Sequence, residues 1–340
     1  MQTLTCDLAV MDQIVVLNLD ISVWSGKARL EPADLGAAEL PPEDLASLGS
    51  KKTCDPVALR AFNKYKTQAF TLLDKTGVRF LGGWAVPESK IKKIEDLLKN
   101  ISDRFYQAKG EFMSNYDHIV NTWIARHPGW ESIINRSIVS SAHVDSRLKF
   151  KWQFFKVTSP QSVTGEAEHL HKEVEELGNT LYLEIAKAAR ITWNKVFDGK
   201  DEVSHKALSP LKTLYDKLKG LSFIEPHVLP VADLIETAIN SVPKDGYITG
   251  ANLLMLQGLV SMLMQPAMII NHAGKILAGT DPADLITNLC SGPLPLADAE
   301  AEDIEPDAPD SDDQDGQDEP IDIITPENPA AANVESCGLW

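Results

Sequence analysis

Two long stretches of this chain carry apolar residues at alternating three- and four-residue steps. This spacing keeps the apolar side chains in one narrow stripe along a helix, as a coiled-coil partner requires. The pattern therefore predicts two long helices that pair as an antiparallel hairpin. The first stripe consists of Ile91, Ile94, Leu98, Ile101, Phe105, Ala108, Phe112, Tyr116, Ile119 and Trp123, and the second of Ala167, Leu170, Val174, Leu177, Leu181, Ile185, Ala188, Thr192 and Val196.

The order of the signals along the chain predicts a mainly helical protein with a small β element, an α+β fold. Residues 1–86 contain a strand and a helix, and residues 87–200 form the long antiparallel coiled-coil-like helical hairpin. Residues 201–290 form a C-terminal helical bundle, and residues 291–340 form a disordered acidic tail. The same heptads could pair between two copies of the chain, so self-association stays open.

Short signals near the N-terminal end support this division. Residues 14–24 alternate apolar and polar side chains with a period of two, which predicts a half-buried strand. Asp55 and Pro56 supply an N-cap and a first-turn proline for a helix that ends at Gly77. Val78–Val86 is short, apolar and interrupted by glycines, which predicts an irregular strand or a tight connection.

An insert at about residues 127–160 joins the two long helices and is rich in basic and aromatic residues. Apolar and polar residues alternate within it from Arg147 to Val157, and this alternation predicts a second strand. We place this strand at the tip of the hairpin. Pairing with the N-terminal strand is the alternative.

The same insert is a candidate nucleic-acid surface. Basic groups beside aromatic rings can hold phosphates and stack bases. The strict alternation favours a structural explanation instead, in which the aromatic rings enter the core and the lysines protect a sheet edge from aggregation. The candidate residues are Arg147, Lys149, Lys151, Trp152 and Lys156.

Two Glu-x-x-His pairs begin the second long helix, and this spacing places both side chains of a pair on one helical face. Di-metal helical bundles use such pairs, but they need a second Glu-x-x-His and further carboxylates on facing helices. Asp117-His118 is the nearest similar pair of an acidic residue and a histidine, and its spacing differs from Glu-x-x-His. We therefore interpret these residues as solvated charges beside the apolar stripe and expect neither a metal nor a cofactor. The pairs are Glu166/His169 and Glu168/His171.

No catalytic motif stands out in the sequence, which contains no G-x-x-x-x-G-K-[ST], no G-x-S-x-G and no H-E-x-x-H. The four cysteines lie far apart without a C-x-x-C pair, which is typical of the reducing cytosol. The apolar segment Leu253–Ile270 is interrupted by Gln257, Gln265 and Pro266, so we interpret it as a buried core helix rather than a membrane span. These features predict a cytoplasmic, non-enzymatic protein without a membrane segment.

The acidity of the chain is concentrated in the tail. The formal net charge is −17, yet residues 298–340 hold 15 acidic residues and no Lys or Arg. A segment dominated by Pro, Ala, Asp and Glu buries too little apolar surface to offset the entropy of ordering. An acidic linker that ends in large apolar side chains is typical of a tethered docking peptide, with Leu339 and Trp340 as the candidate docking residues. The alternative is a solubilising tail.

Two segments, Val15–Gly36 and Gly77–Pro87, and the order of strand, helix and long helical pair resemble the bacterial proteins grouped as domain of unknown function 3150. The resemblance covers residues 10–280 approximately and transfers no catalytic residue. Members look like products of phages, plasmids and other mobile elements. Their genes are often found near a MoxR-type AAA ATPase and a protein with a von Willebrand A domain. The resemblance thus implies an accessory role beside an ATPase.

These observations lead to three hypotheses. The leading one is a non-enzymatic adaptor or assembly subunit whose hairpin forms a rigid arm and whose tail recruits a protein partner, such as an AAA ATPase complex. The second is a nucleic-acid-binding accessory protein of a phage or mobile element, in which the acidic tail competes with nucleic acid for the basic insert and so inhibits binding. The third is a di-metal enzyme, which would carry bound metal in stoichiometric amount.

Overall fold

The structure is a computed structural model, and it describes most of the chain up to Leu289. The chain divides into two units, Met1–Ala297 and Asp298–Trp340, and every described residue belongs to the first unit. The disorder predicted for the acidic tail, residues 291–340, therefore concerns residues outside the described ones. The described residues are 10–36, 46–158 and 166–289, without the side chains of residues 166–169, 171, 288 and 289.

Eight antiparallel strands occur among the described residues. They are β1 (Ile14–Ser22), β2 (Lys27–Arg29), β3 (Ser50–Lys52), β4 (Val78–Phe80), β5 (Gly83–Pro87), β6 (Lys149–Phe155), β7 (Glu202–Val203) and β8 (Ile248–Thr249). Four of them form one sheet in the order β4-β5-β1-β6, while β2 pairs with β3 and β7 with β8. Strand β1 is thus a central strand, and β6 is an edge strand.

Eleven α-helices account for most of the described residues, which confirms the predicted mainly helical α+β class. A π-helical turn, Trp193–Phe197, extends the longest helix. The helices are α1 (Pro56–Thr76), α2 (Ile91–Ser114), α3 (Tyr116–Ala125), α4 (Glu131–Asn135), α5 (Ser141–Arg147), α6 (Glu166–Thr192), α7 (Leu208–Gly220), α8 (Val228–Ser241), α9 (Gly250–Leu263), α10 (Pro266–Leu277) and α11 (Pro282–Leu289).

Strand β1 separates two hydrophobic clusters, because successive side chains of a strand point to opposite faces of the sheet. Ile14 and Val16 enter the first cluster together with buried residues of α6 to α11. Val15 and Leu17 enter the second cluster together with buried residues of α1 and α2. All four side chains are at most 5% exposed. The first half of β1 is therefore buried on both faces, and the predicted half-buried alternation begins only at Asn18.

The two long apolar stripes enter different clusters, so the predicted coiled-coil-like hairpin is wrong for the described part of the chain. The sheet lies between α2 and α6 and covers a buried face of each helix. An apolar stripe shows that a helix face is buried, but it does not show which surface buries it. The buried stripe residues are Ile94, Leu98, Phe105 and Phe112 in α2, and Val174, Leu177, Leu181 and Ile185 in α6.

The first apolar stripe, predicted to lie on one long helix, lies on two helices that meet at Asn115. The Asn115 side-chain amide donates a hydrogen bond to the Glu111 carbonyl oxygen (2.8 Å). Such a side chain competes with the backbone ladder and favours a helix end. The helix predicted from Asp55 to Gly77 is confirmed as α1, since the Asp55 carboxylate accepts the Val57 N–H (2.9 Å).

The strand predicted in the insert is confirmed as β6, but its predicted place at a hairpin tip is wrong. Strand β6 pairs antiparallel with β1, from Val16 opposite Phe155 to Ser22 opposite Lys149. This is the alternative pairing with the N-terminal strand. It buries the Phe150 side chain to 2% exposure in the second cluster, which a solvated hairpin tip would not do.

The apolar segment Leu253–Ile270, interpreted as one core helix, belongs to the two helices α9 and α10, which are bent by 110°. Pro266 is the first residue of α10, and proline lacks the N–H that would continue the hydrogen-bond ladder of α9. Helix α9 is buried around its circumference from Met255 to Leu263. Among the described helices, none alone is both long and apolar enough to cross a membrane, and this bent pair meets that test only in combination.

A buried lysine links elements on both sides of the sheet. Lys217 of α7 forms an ion pair with Glu184 of α6 (2.5 Å) and donates to the Asp74 carbonyl oxygen at the end of α1 (2.6 Å). The Glu184 carboxylate also accepts the backbone N–H of Arg79 in β4 (2.9 Å). Because a buried charge is costly without partners, these contacts hold α1, α6, α7 and β4 in one arrangement.

Replacing Leu17 by alanine tests the central position of β1. The Leu17 side chain is fully buried, so Leu17→Ala removes buried methyl groups and leaves a cavity. We expect the free energy of unfolding to fall by about 2–5 kcal/mol in urea denaturation. The matched control Leu229→Ala, at a residue that is 45% exposed, should change it by at most about 0.5 kcal/mol. Equal losses in the two variants would contradict the buried central strand.

The reactivity of the Cys54 thiol tests whether this residue, next to the start of α1, is buried. Burial, and secondly the neighbouring Asp55 charge, raise the pKa of the Cys54 thiol to about 11. Because the thiolate is the reactive species, about one Cys54 in a thousand is reactive at pH 8. We expect iodoacetamide to modify Cys54 in the folded chain at least tenfold more slowly than in urea-unfolded chain, as measured by peptide mass spectrometry. Equal rates in the two states would show that Cys54 is not buried.

Candidate interaction surface

Strand β1 continues beyond the end of its partner β5. The pairing of β1 with β5 covers Ile14 to Leu17, whereas the pairing of β1 with β6 continues to Ser22. Residues 18–22 and 149–153 therefore form a two-stranded extension of the sheet, which we call the ribbon.

One face of the ribbon is anchored in the second hydrophobic cluster. The Phe150 ring centroid lies 5.6 Å from that of Phe105 on α2 and 6.0 Å from that of Trp152. Leu19 and Ile21 of β1 pack on the same side. These aromatic contacts favour one arrangement of the rings, so they hold the ribbon against α2.

The opposite face of the ribbon, which we call the polar face, is open to solvent in the described part of the chain. In the register of the ribbon, Lys151 lies opposite Asp20, and Lys149 lies opposite Ser22. With two lysines and one aspartate, this face has a net positive charge. The polar face consists of Asn18, Asp20, Ser22, Lys149, Lys151 and Gln153, of which Ser22 is half-buried and the others are exposed.

The outer edge of β6 is partly closed by a side chain of α2. The Phe150 N–H donates to the Tyr106 hydroxyl oxygen (3.2 Å), and the Tyr106 hydroxyl donates to the Phe150 carbonyl oxygen (3.1 Å). Lys109 of α2 donates to the Leu148 carbonyl oxygen (3.0 Å) just before the strand. Helix α2 thus covers the beginning of the edge, and the backbone groups further along β6 lie beyond these side-chain contacts.

The structure separates the residues of the predicted nucleic-acid surface. Lys149 and Lys151 share the polar face, and Arg147 is exposed at the end of α5. Trp152 is half-buried on the opposite face, where it packs into the second cluster. Lys156 forms an ion pair with Glu88 (2.9 Å). The structure therefore brings two of the five residues onto one surface, without an aromatic ring from the set beside them.

Two residues that shape this surface were not singled out from the sequence. Tyr106 follows the stripe residue Phe105 and lies on the exposed side of α2. Helical periodicity does not indicate that a residue on this side contacts the edge of a strand. Asp20 lies on the polar side of the alternation in β1, and this position was a usable signal. The position of Asp20 opposite Lys151 depends on the pairing of β1 with β6, which periodicity does not specify.

The other predicted site residues lie outside the described side chains. Leu339 and Trp340 belong to the second unit, which the structure does not describe. The residues of the two Glu-x-x-His pairs, Glu166/His169 and Glu168/His171, begin α6, but their side chains are not described. Among the described residues, His, Cys, Asp and Glu form no group of three or more that could hold a metal ion.

Removing the Tyr106 hydroxyl tests how the edge is closed. Tyr106→Phe leaves the N–H and the carbonyl oxygen of Phe150 without their side-chain partner. We expect the free energy of unfolding to fall by about 0.5–1.5 kcal/mol and the Phe150 amide to exchange its hydrogen faster. The control Tyr247→Phe, at a residue that is 67% exposed, should change neither quantity. Unchanged exchange at Phe150 in Tyr106→Phe would show that the hydroxyl does not protect the edge.

Comparisons with known proteins identify a family rather than an activity. A search of curated proteins and a search of solved structures gave no match to the chain. A protein-family model with the description "Protein of unknown function (DUF3150)" matches residues 11–265. The match includes the whole sheet and both hydrophobic clusters up to α9. Because this match covers most of the chain and agrees with the resemblance seen in the sequence, the chain belongs to the DUF3150 family.

Proposed function

We propose that this chain is a non-enzymatic adaptor or assembly subunit that binds a protein partner through the ribbon. The observation that carries this proposal is the combination of an anchored face with an open one. Phe150 and Trp152 fix the ribbon to α2, while Lys149 and Lys151 face solvent. A surface that is already rigid loses little conformational entropy when a partner binds, so such a scaffold favours binding.

The location of the ribbon supports binding rather than a purely structural role. The two lysines that are buried among the described residues are each paired, Lys217 with Glu184 and Lys51 with Asp34. Among the described residues, Lys149 and Lys151 have no ion pair within 4.0 Å. Positive groups of this kind speed the approach of an acidic partner and fix its orientation.

The proposed partner is a MoxR-type AAA ATPase complex with a von Willebrand A protein. This assignment rests on membership of the family and on the gene neighbourhood that the resemblance implies. The predicted rigid hairpin arm plays no part in the proposal, since α2 and α6 lie on opposite sides of the sheet. The proposed arm is instead the ribbon with its supporting helix.

The tail is proposed as a second docking element. Leu339 and Trp340 end an acidic segment, and a large apolar side chain can anchor a tethered peptide in a pocket of a partner. If this proposal holds, Leu339→Ala with Trp340→Ala weakens partner binding at least tenfold. Unchanged affinity in that variant would eliminate the tail as a docking element while leaving the ribbon proposal intact.

Nucleic-acid binding is the alternative function, and the exposed pair Lys149 and Lys151, with Arg147 nearby, favours it. Three cations release few counterions, so this function predicts weak binding with a log–log salt slope of about −2 to −3. Fluorescence anisotropy with single- and double-stranded DNA and RNA at low salt measures it. Absence of binding at low salt would eliminate this alternative.

Charge reversal on the polar face tests the adaptor proposal. The double variant Lys149→Glu/Lys151→Glu should weaken binding to the purified ATPase and von Willebrand A protein encoded beside the gene at least tenfold. The matched control Lys92→Glu/Lys99→Glu, on the exposed side of α2, should bind like the original chain. Isothermal titration calorimetry measures affinity, and circular dichroism checks the fold of each variant. Equal affinity of both variants, or no binding by the original chain, would contradict the proposal.

A further inference from the structure

The edge of β6 offers backbone groups as well as side chains. In an antiparallel pair, the N–H and the carbonyl of one residue point to the same side, and this side alternates along the strand. Phe150 exchanges its hydrogen bonds with Tyr106, so its groups point away from β1. By the same alternation, the N–H and carbonyl groups of Trp152 and Phe154 also point outward.

The outward groups of Trp152 and Phe154 lie beyond the side chains that close the beginning of the edge. Among the described residues, the side-chain hydrogen bonds to the outer edge of β6 are those of Tyr106 at Phe150. The strand then continues to Phe155, whose side chain is 40% exposed on the side of the polar face. Residues 152–154 therefore present a short open edge, and such an edge is a template for pairing with another strand.

The two faces of this edge carry different side chains, so an added strand would need different residues on each of its own faces. On the polar face the neighbours would be Gln153 within the open edge, Lys151 and the exposed Phe155 on either side of it, and Lys149 two positions before Lys151; the two lysines have no ion pair among the described residues. On the other face they would be the half-buried rings of Trp152 and Phe154. Since successive side chains of a strand point to opposite faces, an added strand matches both when acidic and apolar residues alternate.

We propose that β6 binds an extended segment of a protein partner, with alternating acidic and apolar residues, as a fifth strand of the sheet. This inference rests on the proposed adaptor function and specifies how that partner is recognised. Backbone hydrogen bonds at Trp152 and Phe154 hold the segment, while Lys149 and Lys151 select its acidic face. The short open edge offers few backbone hydrogen bonds, so the binding is weak and reversible.

Charge disfavours the other occupants of this edge. A second copy would bring a strand with the same lysines and no acidic residue in β6, so like charges would meet near the new pair. A nucleic acid would use the lysines, but it has no row of alternating N–H and carbonyl groups to pair with Trp152 and Phe154. An acidic extended peptide uses both sets of groups.

The test uses the full chain and a blocked peptide of four Val-Glu repeats. We expect this peptide to slow amide hydrogen exchange at Trp152 and Phe154 at least tenfold, measured by mass spectrometry with residue-level fragmentation. The matched control is the same peptide with methylated nitrogens at every second residue, which keeps the charges and cannot donate along the pairing side. Loss of protection with this control supports strand addition. Equal protection by both peptides would overturn it, because charge attraction alone would then explain binding.

A charge swap tests the role of the lysines independently. The variant Lys149→Glu/Lys151→Glu should bind the Val-Glu peptide at least tenfold more weakly and prefer a peptide of Val-Lys repeats. The control variant Lys92→Glu/Lys99→Glu should keep the original preference. An unchanged preference in the ribbon variant would overturn the proposed selection of an acidic segment.

Two further results would assign the edge of β6 to a different occupant. Protection of Trp152 and Phe154 that rises with protein concentration without peptide would assign the edge to a second copy. Protection by single-stranded DNA but not by the Val-Glu peptide would assign it to nucleic acid. Either result overturns strand addition. If the ATPase complex binds in a manner sensitive to Lys149→Glu/Lys151→Glu but no peptide protects the edge, the adaptor function stands and the strand-addition mode fails.

Discussion

The first half of strand β1 is buried on both faces, and this burial organises the helices around the sheet. Ile14 and Val16 face one hydrophobic cluster, and Val15 and Leu17 face the other. A strand that is apolar on both sides needs a packed layer on each side to remove its apolar surface from water, and in the described chain both layers consist of helices. This requirement places α1 and α2 on one side of the sheet and α6 with the later helices on the other. Lys217 then links elements from both layers.

The same strand also creates the surface that we assign to partner binding. Beyond Leu17, β1 has passed the end of β5 and keeps only β6 as a strand partner in the described chain. Its outward residues change from apolar to polar at Asn18, so helices cover one face there and leave the other open. This strand pair, anchored on one face and open on the other, is the observation from which we propose partner binding.

The local signals in the sequence were accurate where a single element decides the outcome. The Asp55 cap, the helix that ends at Gly77 and the strand that begins at Ile14 all correspond to observed elements. The long stripes correspond to buried helix faces, as Leu98 of α2 and Leu181 of α6 show. The pairing of elements was less accurate, because an apolar face packs equally well against a helix or a sheet. For the same reason, the alternating strand of the insert did not reveal its partner.

The helical content, the periodicity of each buried face and the separation of the acidic tail from a nearly neutral body can all be read from the sequence alone. These properties follow from neighbouring residues and from composition. The folded chain alone shows that α2 and α6 lie on opposite sides of a sheet and that β6 pairs with β1. These outcomes depend on contacts between residues more than one hundred positions apart, and neither periodicity nor local propensity encodes such pairings.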